Sequence, residues 1–283
     1  MSLQFVTTDW LADHLDAPDI VVVDGSWYLP TQNRDAKAEY AAGHVPGAVH
    51  FDIDEIADAT SGLPHMLPRP DDFARHMGRL GVGDGMRVVV YDGAGLFSAP
   101  RVAWTLKVYG AQDVAILAGG SPKWRAEELP WTDEPAQRRP ATFTARFDHG
   151  MVAGMDDVAR AIETGAAQVL DARPADRFRG EAPEPRPGVR SGHIPGSLNL
   201  PFTAVLAQGT LRPPAEIERA LREAGVDPDK PIITSCGSGV SAAILAAALD
   251  SIGRPVKAIY DGSWAEWGSS DRPIETGPAK TKG

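Results

Sequence analysis

The single cysteine of the chain, Cys236, stands in "PIITSCGSGVSAAILAAAL", between an apolar strand-like run and a helix-like one. A thiol in that setting can serve as a nucleophile. The run "PIIT" delivers it to the carboxyl end of a sheet, where open α/β folds place their ligands. Gly237 and Gly239 permit a tight turn in which successive N–H groups converge, and a helix starting near Val240 adds its positive dipole end. Such a nest favours an anion, so the sulfur is expected to be held as a reactive thiolate. Ser238 and Ser241 add hydroxyls at or beside the loop. A lone cysteine is otherwise often a small buried hydrophobe. The glycine-rich turn argues against that reading here.

Two loop chemistries separate at this point. A cysteine phosphatase grips phosphate oxygens with an Arg six residues after its Cys. That position is Ala242, and no Lys or Arg occurs between Cys236 and Ala248. Phosphate-ester hydrolysis is therefore disfavoured. A thiolate cradled by neutral amides suits the receipt of a sulfur atom and its storage as a persulfide.

The elements that must position this loop occur twice. An apolar strand ending in Asp appears as "IVVVDGSWY" at Asp24 and as "AQVLDARPADRF" at Asp171. "AGHVPGAVHFDI", with His44, is answered by "SGHIPGSLNLPF", with His193. "RVVVYDGAGLFSAPRVAW" is answered by the cysteine segment, and "VAILAGGSPKW" by "KAIYDGSWAEW". Four collinear matches describe an internal duplication, too long for a solenoid repeat and so two copies of a whole domain. Short Val/Ile-rich strands alternate with helical stretches in each copy, which predicts an α/β fold of two tandem domains, each a mainly parallel sheet flanked by helices. The boundaries read as 1–135, a linker at 136–150 within a weakly patterned stretch, and 151–283. In the first copy Asp92 occupies the position of the thiol, so one active and one inactive domain are expected. His44, His193, Asp24 and Asp171 recur in both copies, which points to a role in holding the fold. The seven Trp read as core and interface rather than as ligand stackers.

Bulk composition narrows the classes. Acidic residues outnumber Lys and Arg by 38 to 28, a formal charge of −10 that argues against non-specific nucleic-acid binding. No apolar run approaches the length of a membrane span, and the first residues resemble no secretory signal. One thiol cannot close an internal disulfide and suits a reducing compartment, so a cytoplasmic protein is expected. No Cys/His cluster has metal spacing, and the loop GxG lacks the dinucleotide-binding context. No metal or organic cofactor is expected.

With "GHVPGA", "GHIPGS", the strand–Cys–Gly-rich loop–helix segment and a first copy without Cys, the sequence resembles the tandem-domain rhodanese-type sulfurtransferases over nearly its whole length. Thiosulfate-using members tend to carry a basic loop like C-R-K-G-V-T, and mercaptopyruvate-using members C-G-S-G-V-T. "CGSGVS" is similar to the second, with Ser241 for Thr. The resemblance implies transfer of sulfur from 3-mercaptopyruvate through Cys236 to a thiol such as thioredoxin or a small thiol, or to cyanide. It further implies that Arg177 and Arg186 hold the substrate's carboxylate and keto oxygen, for which a planar guanidinium fork is suited. Gly237, Gly239, Val240 and Ser241 would complete the substrate site. A relay of Ser238, His65 and Asp54 is implied as well, which demands that the two domains meet at the active site. Taken without the family, Arg177 and Arg186 could equally be solvated or interface charges, and His65 a loop histidine between prolines. Thiosulfate turnover, or a non-catalytic persulfide carrier, remain the alternatives.

Overall fold

Strands buried on both faces read as unbroken β-branched runs, because helices cover each side of a parallel sheet. "IVVVD" is such a run, and all five of its residues are buried. The computed structural model describes residues 3–280. In the first half β1 (Gln4–Val6), β2 (Ile20–Asp24), β3 (Val49–His50), β4 (Arg87–Tyr91) and β5 (Asp113–Leu117) form one sheet in the order β1-β5-β4-β2-β3. In the second half β6 (Val152–Ala153), β7 (Gln168–Asp171), β8 (Leu198–Asn199), β11 (Ile232–Ser235) and β12 (Ala258–Tyr260) repeat it as β6-β12-β11-β7-β8. Every pairing in both sheets is parallel. The duplicated sequence thus folds twice into one topology. A small antiparallel hairpin, β9 (Leu206–Ala207) with β10 (Thr210–Leu211), belongs to the second copy alone.

Helices α1 (Thr8–Ala12), α2 (Ala36–Ala42), α3 (Pro70–Arg79), α4 (Ala99–Val108) and α5 (Gly120–Ala126) flank the first sheet. Helices α6 (Met155–Thr164), α7 (Ala175–Arg179), α8 (Pro214–Glu223), α9 (Val240–Ser251) and α10 (Ser263–Trp267) flank the second. Most show one apolar face. α4 and α9 are the exceptions, since all ten residues of α4 and nine of α9's twelve are buried. The reason is that they pack on each other between the domains, where the alanines of "VSAAILAAALDS" permit close approach. These are the helices that follow the two equivalent loops, so the interface brings both loops toward the same seam.

The stretch 131–150 runs along the first domain. Thr132 bridges to His44, Ala141 N–H donates to the Gly78 carbonyl, Thr144 bonds Asp84, and Asp148 N–H donates to the Val108 carbonyl. Phe143 sits edge-on to Phe73 inside that domain's core, ring centroids 5.5 Å apart. No helix among the described residues is long and apolar enough to cross a membrane. The extreme ends of the two expected domains, 1–2 and 281–283, lie outside the described residues.

Candidate active site

Cys236 follows β11 directly, and α9 begins after the next three residues. Gly239 takes a left-handed turn at φ +82°, which aims its N–H at the sulfur, N···Sγ 3.1 Å. The loop is anchored from outside by the start of α10. Cys236 N–H donates to Ser263 Oγ at 3.2 Å, and the N–H groups of Trp264 and Ala265 donate to the carbonyls of Cys236 and Gly237 at 2.9 Å. The thiol is 1% exposed, at the floor of a cavity of about 80 Å³. Gly237, Ser238, Val240 and Ser241 line that cavity, together with Arg177 and Arg186. Gly239 stands behind its wall and reaches the sulfur only through its N–H.

The first domain supplies the groups beside Ser238. His65 Nδ1 lies 3.1 Å from Ser238 Oγ, and its Nε2 lies 2.9 Å from Asp54 Oδ1. The three residues of the expected relay therefore form one hydrogen-bonded line across the domain seam. His65 is buried, whereas the side chain of Asp54 is 64% exposed. The bond to His65 is the main reason that the Asp54 carboxyl is held below its ordinary range, and Trp27 Nε1, donating at 2.9 Å, adds to the effect. The Trp27 ring also meets His65 edge-on at 4.8 Å. Sequence reasoning misses this tryptophan, which reads there as core or interface. No local pattern distinguishes it, since its partners come from other segments.

The two arginines differ in what already holds them. Arg177 grips Glu184 with Nη2 at 2.5 Å and Nε at 3.2 Å, and the buried Glu184 is shared with Arg173 at 2.9 Å. Among the described residues no carboxylate comes within ion-pair distance of Arg186. Its Nη2 donates only a long bond to Ser238 Oγ, 3.4 Å. Burial lowers the Arg186 guanidinium from its usual range, repulsion from Arg177 adds to this, and the charge of Cys236 opposes it. A half-buried cation with no carboxylate at ion-pair distance among the described residues is suited to receive an anion. Glu184 and Arg173 also escape sequence reasoning. Arg173 is fixed by Asp171 on its other side, at 2.7 Å, which gives that recurring aspartate a structural task.

The recurring histidines brace loops away from the thiol. His44 bonds the carbonyls of Tyr40 and Glu134, and His193 bonds that of Phe178 while stacking on its ring at 3.9 Å. In the first copy Asp92 occupies the place of Cys236, after β4. Its side chain accepts N–H bonds from Ala94, Phe97, Ser98 and Ala99 at 2.7–2.9 Å. Asp24 lies away from the thiol, beside that loop's own cavity.

Comparison with known proteins bears on the fold and the family. The model of the rhodanese-like domain matches residues 7–127 and again 154–270. The 3-mercaptopyruvate sulfurtransferase of Escherichia coli K12 is 45% identical, the alignment covering 96% of this chain and 97% of that protein. The human 3-mercaptopyruvate sulfurtransferase is 43% identical, with coverages of 98% and 96%. A crystal structure of an Escherichia coli 3-mercaptopyruvate sulfotransferase superposes with a TM-score of 0.86 at 43% identity, covering 93% of this chain and 99% of that one. With the fold occurring twice, the thiol loop in the second copy only, and relatives matched from end to end, the chain belongs to the rhodanese-like family as a two-domain sulfurtransferase.

Proposed function

We propose that the protein is a 3-mercaptopyruvate sulfurtransferase working by double displacement through Cys236. The observation that carries this reading is the juxtaposition of Cys236 with two arginines in a cavity of about 80 Å³, a size suited to a three-carbon keto acid. Arg186, with support from Arg177, takes the substrate carboxylate and keto oxygen. This places the substrate sulfur over the thiolate. Attack forms the S–S bond and breaks the substrate's C–S bond. The electron pair passes to carbon as the enolate of pyruvate, which is protonated by Ser238, backed by His65 and Asp54, or by water. Pyruvate departs and Cys236 keeps the outer sulfur, its persulfide facing the Gly239 N–H. A thiolate acceptor, such as thioredoxin or a small thiol, or cyanide then attacks the outer sulfur and releases Cys236. A reducing, cytoplasmic setting is consistent with the lone thiol.

Pyruvate release from 3-mercaptopyruvate with a dithiol acceptor, run beside thiosulfate with cyanide, tests the assignment. Mercaptopyruvate turnover well above thiosulfate turnover is expected. The reverse preference discards the substrate role of the arginines and leaves Cys236 as a thiosulfate-using nucleophile. Silence in both assays, with persulfide uptake from a donor protein, makes the chain a carrier.

A further inference from the structure

We propose that Arg101 is the positioning residue of the relay, and that it sets His65 against Ser238 by tying both domains together beneath the cysteine loop. This rests on the relay reading above. Arg101 comes from α4 of the first domain, two residues into the helix that follows the thiol-free loop, and is only 2% exposed. Its Nη2 donates to the His65 carbonyl and to Asp261 Oδ1 of the second domain, both at 2.6 Å. The other oxygen of Asp261 accepts the Leu67 N–H at 2.9 Å. The Arg101–Asp261 pair therefore clasps the chain on both sides of Met66, leaving His65 fixed in the left-handed region at φ +60°. A histidine holds that conformation when its surroundings dictate it.

The same guanidinium reaches the nucleophile's turn. A Cβ placed on Gly239 would fall 2.5 Å from Arg101 Nη1, so the cation lies directly against the residue whose N–H serves Cys236. Nη1 is buried with no hydrogen-bond partner among the described residues, and the guanidinium stacks over Trp104 at 4.5 Å. Asp261 in turn stands two residues before Ser263, whose hydroxyl holds the Cys236 N–H. One ion pair thus touches the histidine's backbone and the glycine turn, and lies two residues from the anchor of the thiol. Apolar residues of similar volume commonly serve stability as well as a buried pair does, so directional positioning is the better account of this one. The helix of the copy without a thiol has become part of the working site.

The test is a double-mutant cycle on the full chain, read as kcat and KM for pyruvate release from 3-mercaptopyruvate. Arg101→Met should lower kcat about 10- to 100-fold, with KM held within about twofold, because a misplaced proton-transfer group slows chemistry more than binding. His65→Ala should lower kcat about 100-fold. The double variant should be no slower than His65→Ala within about twofold, since Arg101 then has no relay histidine left to position. A double variant as slow as the product of the two single losses overturns the proposal and leaves the relay standing. Wild-type kcat in His65→Ala overturns the relay itself and this inference with it. If Arg101→Met fails to fold, Asp261→Asn replaces it in the same cycle, where non-additive losses support the proposal and multiplied losses overturn it. Arg101→Lys should recover part of the loss.

Discussion

Asp92 and Cys236 occupy one position in two copies of one fold, each the residue that follows the central strand and opens the loop before a buried helix. Asp92 brings its own negative charge, and four backbone N–H groups close on it until it is 0% exposed. The loop around it is longer and is covered by the turn of the β9–β10 hairpin, where Gly95 and Gly209 meet backbone to backbone. Among the described residues Cys236 receives one N–H, from Gly239, and it opens into a cavity faced by Arg177 and Arg186. An anion nest can thus be filled from within, giving a structural joint, or left for a ligand, giving a reactive site. The difference teaches that the thiol alone does not define the active copy. A cavity that reaches the sulfur itself, lined by Arg177 and Arg186, does so as much.

The largest expected effect breaks the comparison at the sulfur. Cys236→Ser should abolish turnover and the persulfide adduct seen by mass spectrometry, whereas Asp92→Ala should lower kcat yet keep the adduct, because its loop braces α4 and the Phe97 wall of the cavity and supplies no reacting atom. Loss of the adduct in both variants would mean that the loops act together. Next, Arg186→Ala should raise KM for 3-mercaptopyruvate about 10- to 100-fold while the melting curve stays near wild type, because a charged ligand loses its partner. An unchanged KM would remove Arg186 from the substrate site. Asp92→Ala should cost about 3 kcal/mol in a denaturant titration, since buried N–H groups are left without an acceptor. A neutral result would show that water or a shifted loop satisfies them.

The smallest effect concerns pH and the bracing histidines. Burial, first among its causes, holds His193 below the ordinary 6.5. The unfolded chain therefore binds the proton more readily, so this group's contribution to stability is whole above that value and falls as pH drops toward the lowered one. His193→Gln should make the stability–pH curve shallower on the acid side of pH 6.5. An unaltered slope would assign the acid sensitivity to other groups. The relay carboxylate behaves differently. Asp54 is held below its ordinary 3.8 chiefly by the His65 bond, so it is ionised where His193 begins to take up its proton and gives no slope there.

Much of this is legible in the order of the residues. The duplication follows from four paired motifs, and the paired sheets carry the same strand order. Cys236 can be read because its loop glycines, strand and helix are contiguous in sequence. What stays hidden comes from packing between segments far apart in the chain. Arg101 looks like an ordinary helix residue until Asp261, 160 positions away, is brought beside it. Trp27 meets Asp54 and His65 only because β2 and the loops after β3 converge. Glu184 lies near Arg177 in sequence, yet its buried sharing with Arg173 has no periodic signature. His65 has support from the resemblance alone, since a histidine between prolines has no local mark of a role 173 residues distant.

The burial of α4 binds the two copies together in folding as well as in the site. All ten of its residues are covered, the outer ones by α9 of the other copy. A single copy released from its twin would present that helix to water as an adhesive flank, inviting self-association in place of solitary folding. The copy without a thiol therefore keeps α9 covered, whatever chemistry it lacks.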